Sequence, residues 1–242
     1  MMEIWPAIDI RGGQCVRLRQ GDYGQETVYG NSPADMAEYW VDLGAKRLHL
    51  VDLDGAKDGK MTNRPAIEAV VRRLAGRGVA CELGGGIRNE ESIRGLLEMG
   101  LTRLVIGTLA LKDPAWFREM CLKFPNRLVL GIDARNGMVA TDGWLETSRT
   151  SAVELANQFA DLPIAALVYT DIATDGMMTG PNIPEMLKMK NAVPIPLVAS
   201  GGISVADDVR RLYDAGFAAC IIGRALYEKT VQLQDVLPFE RN

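Results

Sequence analysis

The 242 residues are 48% apolar and 24% charged, enough to bury a sizeable core within the length of one α/β barrel domain. Twenty-seven basic against 31 acidic side chains leave a net charge of −4, which excludes a general affinity for nucleic acid or an anionic membrane. No apolar run reaches the roughly 18–20 residues of a membrane-spanning helix.

Taken in chain order, a first apolar, β-branched run covers 3–8 and ends at Asp9. A long connection, 10–32, leads to Ser32-Pro33, an N-cap followed by proline at the first helical position. Met36, Trp40 and Leu43 share one face of that helix, and Gly44 stops it. Further strand runs fall at 48–53, 79–83 and 103–107. A helix opens at Asn89, carries Ile93, Leu96 and Leu97, and closes at Gly100; another opens at Asp113-Pro114. The fifth run, 127–132, ends at Asp133 and a second long connection, 134–149. Runs at 165–170, 195–199 and 218–222 complete the series, with a helix from Ser204 through Val209, Leu212 and Tyr213 to Gly216.

Eight strands alternating with helical segments predict parallel pairing and right-handed crossovers. An open doubly wound sheet and a closed barrel both satisfy that alternation. The two halves of the chain favour the barrel, because they repeat each other. Ala7-Ile8-Asp9-Ile10-Arg11-Gly12-Gly13 matches Gly131-Ile132-Asp133-Ala134-Arg135-Asn136-Gly137 at a spacing of 124. Asp54, Asp58, Gly59 and Thr62 recur as Asp171, Asp175, Gly176 and Thr179 at 117; Gly86-Ile87, Gly100 and Ile106-Gly107 recur at 116. The expectation is a (β/α)8 TIM barrel over 1–242 as one domain, with half-barrels about 1–124 and 125–242.

In such a barrel chemistry sits where the strands end. Asp9 and Asp133 occupy matching strand ends on opposite sides of the mouth, which suits proton transfer at two positions of one substrate. Gly84-Gly85-Gly86 and Gly107-Thr108 follow strands three and four; Gly201-Gly202 and Gly223-Arg224 follow strands seven and eight. Such loops let backbone amides, and the partial charge of a following helix, approach an anion. Two sets on opposite sides predict a long substrate with a phosphate at each end. Arg17, Arg19, Arg88 and Arg224 are candidate phosphate grips, although Arg88 fits an external ion pair nearly as well. Thr170 can bind a sugar hydroxyl or orient a carboxylate, and Asp175 shares its loop. Trp144 offers a stacking face or a buried structural ring. The lone histidine, His49, lies between Leu48 and Leu50 and reads as a satisfied core residue. Cys15, Cys81, Cys121 and Cys220 are widely spaced and form no CxxC, so reduced thiols are expected. No GxGxxG, Walker, HExxH or GxSxG pattern occurs, and no metal site is expected. The N-terminus opens on Ile4-Trp5-Pro6-Ala7-Ile8-Asp9 without a basic leader, so the protein reads as cytoplasmic.

At these residues the chain resembles the isomerase family of histidine biosynthesis. Pro6-Ala7-Ile8-Asp9-Ile10, Cys15-Val16-Arg17-Leu18, Val51-Asp52-Leu53-Asp54-Gly55-Ala56, Gly84-Gly85-Gly86-Ile87-Arg88 and Gly143-Trp144 carry the resemblance. Gly180-Pro181-Asn182, Ser200-Gly201-Gly202-Ile203-Ser204 and Ile222-Gly223-Arg224 extend it through the chain. A cyclase of the same pathway is similar in fold, but Ala7-Ile8-Asp9 and Arg17 favour the isomerase. The resemblance implies an Amadori rearrangement of a bis-phosphorylated aminoaldose, with Asp9 as general base and Asp133 as general acid. It implies no cofactor and a small-molecule substrate; with charge and hydropathy giving no nucleic-acid or membrane partner, a monomer is expected. The repeat makes the two aspartates look alike, so their order stays open. Three alternatives remain: a second activity on phosphoribosylanthranilate, left open by Arg19 and Trp144; another phosphate-binding barrel, such as a flavin enzyme; and a non-catalytic phosphate-binding barrel.

Overall fold

The computed structural model describes residues 2–144 and 146–240. The chain opens with β1 (Glu3–Arg11), then an antiparallel pair, β2 (Gln14–Arg19) and β3 (Asp22–Gly30), before helix α1 (Pro33–Asp42). Strand β4 (Arg47–Asp52) is followed by α2 (Leu53–Asp58) and α3 (Arg64–Arg73), and β5 (Ala80–Gly84) by α4 (Glu90–Met99). Next come β6 (Arg103–Ile106), α5 (Thr108–Lys112) and α6 (Pro114–Lys123). Strand β7 (Leu128–Arg135) leads into a second antiparallel pair, β8 (Met138–Thr141) and β9 (Glu146–Ser151), and then α7 (Ala152–Asn157). The remaining units are β10 (Ala166–Asp171) with α8 (Ile183–Ala192), and β11 (Leu197–Ser200) with α9 (Ala206–Asp214). Strand β12 (Ala219–Ile222) ends the series with α10 (Arg224–Tyr227) and α11 (Leu233–Val236).

Strands β1, β4, β5, β6, β7, β10, β11 and β12 pair in that order, all parallel. The β7–β10 ladder, from Ala166↔Val129 to Asp171↔Ala134, leaves no gap in the ring. The sheet therefore closes, and the open-sheet alternative is excluded.

Strand alternation divides the core in two. In β1, Ile4, Ile8 and Ile10 face the helices, in one cluster with Leu48, Leu50, Leu83 and Leu130. Trp5 and Ala7 point inward, where Val129, Val168, Val198 and Ile221 fill the barrel. Truncating a fully buried member such as Ile8 or Leu50 to alanine costs roughly 2–5 kcal/mol. The four cysteines are free and buried.

Helix starts follow their caps. Ser32 Oγ accepts from Asp35 N at 3.2 Å, Asn89 Oδ1 from Ser92 N at 2.8 Å and Asp113 Oδ1 from Trp116 N at 3.0 Å. Helix α9 starts later than Ser204 suggests. Its N-cap is Val205, which has no acceptor; Asp208 reaches back to the Ser204 and Val205 amides at 2.9 and 3.2 Å.

The two long connections are not irregular loops. Strand β1 continues past Asp9 and turns at Gly12-Gly13, both at positive φ, into β2. Strand β7 continues past Asp133 and turns at Asn136-Gly137, again both at positive φ, into β8. Two residues at positive φ are the demand of a type I′ hairpin, for which Gly-Gly and Asn-Gly are suited. Those dipeptides were the available signal.

Candidate active site at the barrel mouth

Strands β1 and β7 lie four strands apart whichever way the ring is followed, so Asp9 and Asp133 face one another across the mouth. Both line one cavity with Arg17, Thr170, Asp175, Trp144 and the glycine loops.

The hairpin built on β1 delivers Arg17. Asp9 pairs with Val16 across the ladder, and Arg17 Nη1 meets Asp9 Oδ2 at 2.8 Å. Burial opposes the Arg17 charge, but Asp9 and then Asp175 sustain it and raise its pKa. The guanidinium reaches β12, where a Cβ on Gly223 would collide with it. Its Nε has no partner among the described residues.

Asp133 stands in different surroundings. Its ladder partner on β10 is Thr170, and the Thr170 hydroxyl and the Trp144 indole both act to lower the carboxyl's pKa. Burial pushes the Asp133 pKa up, and those two neighbours only partly oppose it. Trp144 reaches this position at φ +70°, with its ring against Gly21 of the first hairpin. The ends of the two hairpins thus meet over the mouth.

A third carboxyl joins them. Asp175 follows β10, and burial pushes its pKa up to about 6; Arg17 pulls against that rise, while Asp9 and Asp133 reinforce it. Its loop is pinned by the first hairpin: Gln20 Nε2 donates to the Ala173 carbonyl at 3.1 Å. Arg224 Nη1 donates to the Gly176 carbonyl at 2.7 Å.

The glycine loops rest on two similar clamps. Asp52, ending β4, accepts from the amides of Gly55, Thr62 and Asn63 and from Asn63 Nδ2. Asp171, ending β10, accepts from the Ala173 amide and from Asn182 Nδ2. Each Asp–Asn pair spans eleven residues. The strand ends therefore match Asp171 with Asp52, not with Asp54, which instead accepts from the Gly12 amide at 2.8 Å. Against these clamps lie glycines that admit no side chain: Gly85 abuts the Asp52 carbonyl and Gly202 the Gly180 carbonyl, both at positive φ.

Arg88 lines the mouth beside Gly59, with Asp142 Oδ1 3.9 Å from its Nη2. Lys112 holds the other Asp142 oxygen at 2.7 Å, and Thr108 Oγ1 accepts from the Asp142 amide at 3.1 Å. Gly86, Gly107, Thr108, Gly201 and Arg224 also line the mouth. Arg19 does not. Past a register shift between Leu18 and Arg19, it pairs with Asp22 at the hairpin tip and is exposed. His49 was missed. Its Nδ1 is satisfied by Glu82, as a core residue requires, yet the ring also lines the mouth. Sequence alone could have flagged it, because it stands two residues before Val51 and shares its inward face.

The histidine biosynthesis protein family matches residues 3–232. A relative from Rhodopirellula baltica is 53% identical over 98% of this chain and 93% of its own length. Relatives from Gloeothece citriformis and Crocosphaera subtropica are 47% and 46% identical over 98% of this chain and 92% of theirs. All three are named 1-(5-phosphoribosyl)-5-((5-phosphoribosylamino)methylideneamino)imidazole-4-carboxamide isomerase. With its closed barrel and near end-to-end similarity, the chain belongs to the histidine biosynthesis protein family.

Proposed function

We propose that this protein catalyses the Amadori rearrangement of the carboxamide aminoaldose, which carries a phosphate at each end, to the aminoketose. The observation that carries the reading is the meeting of three carboxyls in a mouth flanked by two pairs of glycine loops. Gly85, Gly86, Gly107, Thr108 and Arg88 hold one phosphate. Gly201, Gly202, Gly223 and Arg224 hold the other, with Arg17 beside Gly223.

The reaction needs a proton on the ribose ring oxygen, so that the C1–O bond breaks and an iminium forms. It then needs removal of the C2 proton to give an enaminol, which becomes the ketose when C1 is protonated. Hydrogen moves within one molecule and the net redox change is zero, so the chemistry requires no redox cofactor. One carboxyl must start protonated and another ionised. Asp9, paired with Arg17, is assigned as base. Asp133, whose pKa burial raises, is assigned as acid. A second reading gives the acid role to Asp175, whose pKa of about 6 suits proton donation near neutrality.

The recurrence of the Asp52–Asn63 clamp as Asp171–Asn182 supports reading the chain as one domain of two half-barrels. The active species is taken as a cytoplasmic monomer, which sedimentation of the purified protein tests for mass.

The deciding experiment is turnover of the bis-phosphorylated aminoaldose beside Asp9→Asn, Asp133→Asn and Asp175→Asn. Loss of the base or the acid should lower kcat by about 10²–10⁴ while binding persists. Whichever of Asp133→Asn and Asp175→Asn loses more identifies the acid. Wild-type protein that binds without turnover would sink the isomerase reading. Phosphoribosylanthranilate in the same assay tests the second activity.

A further inference from the structure

Inside the barrel runs a line of polar side chains that the proton transfers above do not use. His49, Glu82 and Arg103 occupy β4, β5 and β6 as direct ladder partners. His49 Nδ1 lies 2.6 Å from Glu82 Oε1, and Arg103 Nε donates to Glu82 Oε2 at 2.5 Å. The Arg103 guanidinium lies over the Trp5 ring, 4.1 Å from its centroid. Glu82 is 0% exposed and His49 8%. The line therefore starts at the mouth and runs down into the barrel.

Stability does not explain it. Desolvating a carboxylate and a guanidinium is costly, and apolar side chains of similar volume usually serve a core as well or better. The other side of this interior is filled that way, by Val129, Val168, Val198 and Ile221. What the triad achieves is orientation. Burial opposes the Glu82 charge, but His49 and Arg103 outweigh it and lower its pKa, so the carboxylate accepts a hydrogen bond from Nδ1–H. That leaves Nε2 as the ring nitrogen available to the mouth, which His49 lines.

We propose that His49 touches the substrate, its Nε2 hydrogen-bonding an oxygen of the reacting sugar, and that Glu82 and Arg103 act through it as positioning residues. The inference rests on the reading that the mouth binds the bis-phosphorylated sugar. Glu82 holds the ring tautomer; Arg103 holds Glu82 ionised and fixed in place.

The chain has a single histidine, so its imidazole ¹⁵N resonances report on His49 alone. The test uses uniformly ¹⁵N-labelled protein, slowed by Asp9→Asn, titrated with the bis-phosphorylated aminoaldose, with binding followed by calorimetry. Nδ1 should keep its proton throughout, and the Nε2 resonance should move on binding. In the otherwise wild-type enzyme, Glu82→Gln should lower kcat by up to about a hundredfold, the scale of a misplaced reacting group, with KM little changed. His49→Gln, altered at the wetter end of the line, should behave likewise if Glu82→Gln does not fold. Arg103→Lys should retain more activity than Arg103→Met. An Nε2 resonance unmoved by bound aminoaldose overturns the proposal, as does wild-type kcat in His49→Gln. Binding without turnover by wild type would overturn the isomerase reading alone, since the Nε2 response still decides this one. No binding overturns both.

Discussion

Asp9 and Asp133 sit two residues before the ends of β1 and β7, on opposite sides of one barrel, yet their neighbours differ in kind. Asp9 meets a guanidinium at 2.8 Å, brought by the hairpin β2. Asp133 meets two neutral donors, Thr170 and Trp144, in a site where burial outweighs them and raises its pKa. A guanidinium stands beside one carboxyl, whereas desolvation favours a proton on the other. Identical side chains are thereby suited to opposite tasks, and each hairpin supplies the residue that sets the difference.

Breaking the Asp9 side should have the largest effect. Arg17→Met leaves Asp9 buried without its partner and removes the cation beside Gly223. Turnover should fall by on the order of a hundredfold or more, and stability by about 3 kcal/mol, the scale for breaking a buried pair. Urea unfolding and steady-state kinetics read both. Arg19→Ala, two residues on but exposed at the hairpin tip, is the control and should leave both unchanged. Equal losses in the two variants would mean that charge in the hairpin, not the ion pair, is what matters.

Next come the glycine loops. A Cβ on Gly202 would collide with the Gly180 carbonyl, at φ +88°, whereas one on Gly12 at φ +53° meets nothing within 4 Å. Gly12→Ala should cost only the left-handed penalty, about 1–2 kcal/mol. Gly202→Ala should cost more and, if the mouth binds the sugar phosphate as proposed, should also raise KM, because a loop lining the mouth must move. Equal thermal shifts with unchanged KM would show that the close approach is not needed for binding.

The smallest effect sharpens the electrostatic side. The Asp175 carboxyl has a pKa of about 6 when folded, against an ordinary value of 3.8. The folded state then binds the proton more tightly than the unfolded chain. Its contribution to stability is greatest below about pH 4 and is lost as pH rises towards about 6. Asp175→Asn removes that slope, so wild type should lose more stability than the variant between about pH 4 and 6.5. Parallel pH dependences in denaturant unfolding would place the Asp175 carboxyl in water.

The eight barrel strands, the caps at Ser32, Asn89 and Asp113, and the strand-end aspartates were legible in the sequence. Each follows from local rules: alternation, capping chemistry and the repeat of one pattern in both halves. The parallel alternation left two folds open, and only the β7–β10 ladder closes the ring. The hairpins were legible in principle, at Gly12-Gly13 and Asn136-Gly137, but their consequence was not. That Arg17 turns inward onto Asp9 while Arg19 pairs with Asp22 at the exposed tip depends on how β2 pairs with β1 and β3. That His49 Nδ1 is taken up by Glu82 depends on β4 and β5 aligning the two. Local sequence determines which residues point to one side of a strand. What each then meets across the barrel, and so its charge and its protonation, is set by strands distant in the chain and adjacent only once the ring has closed.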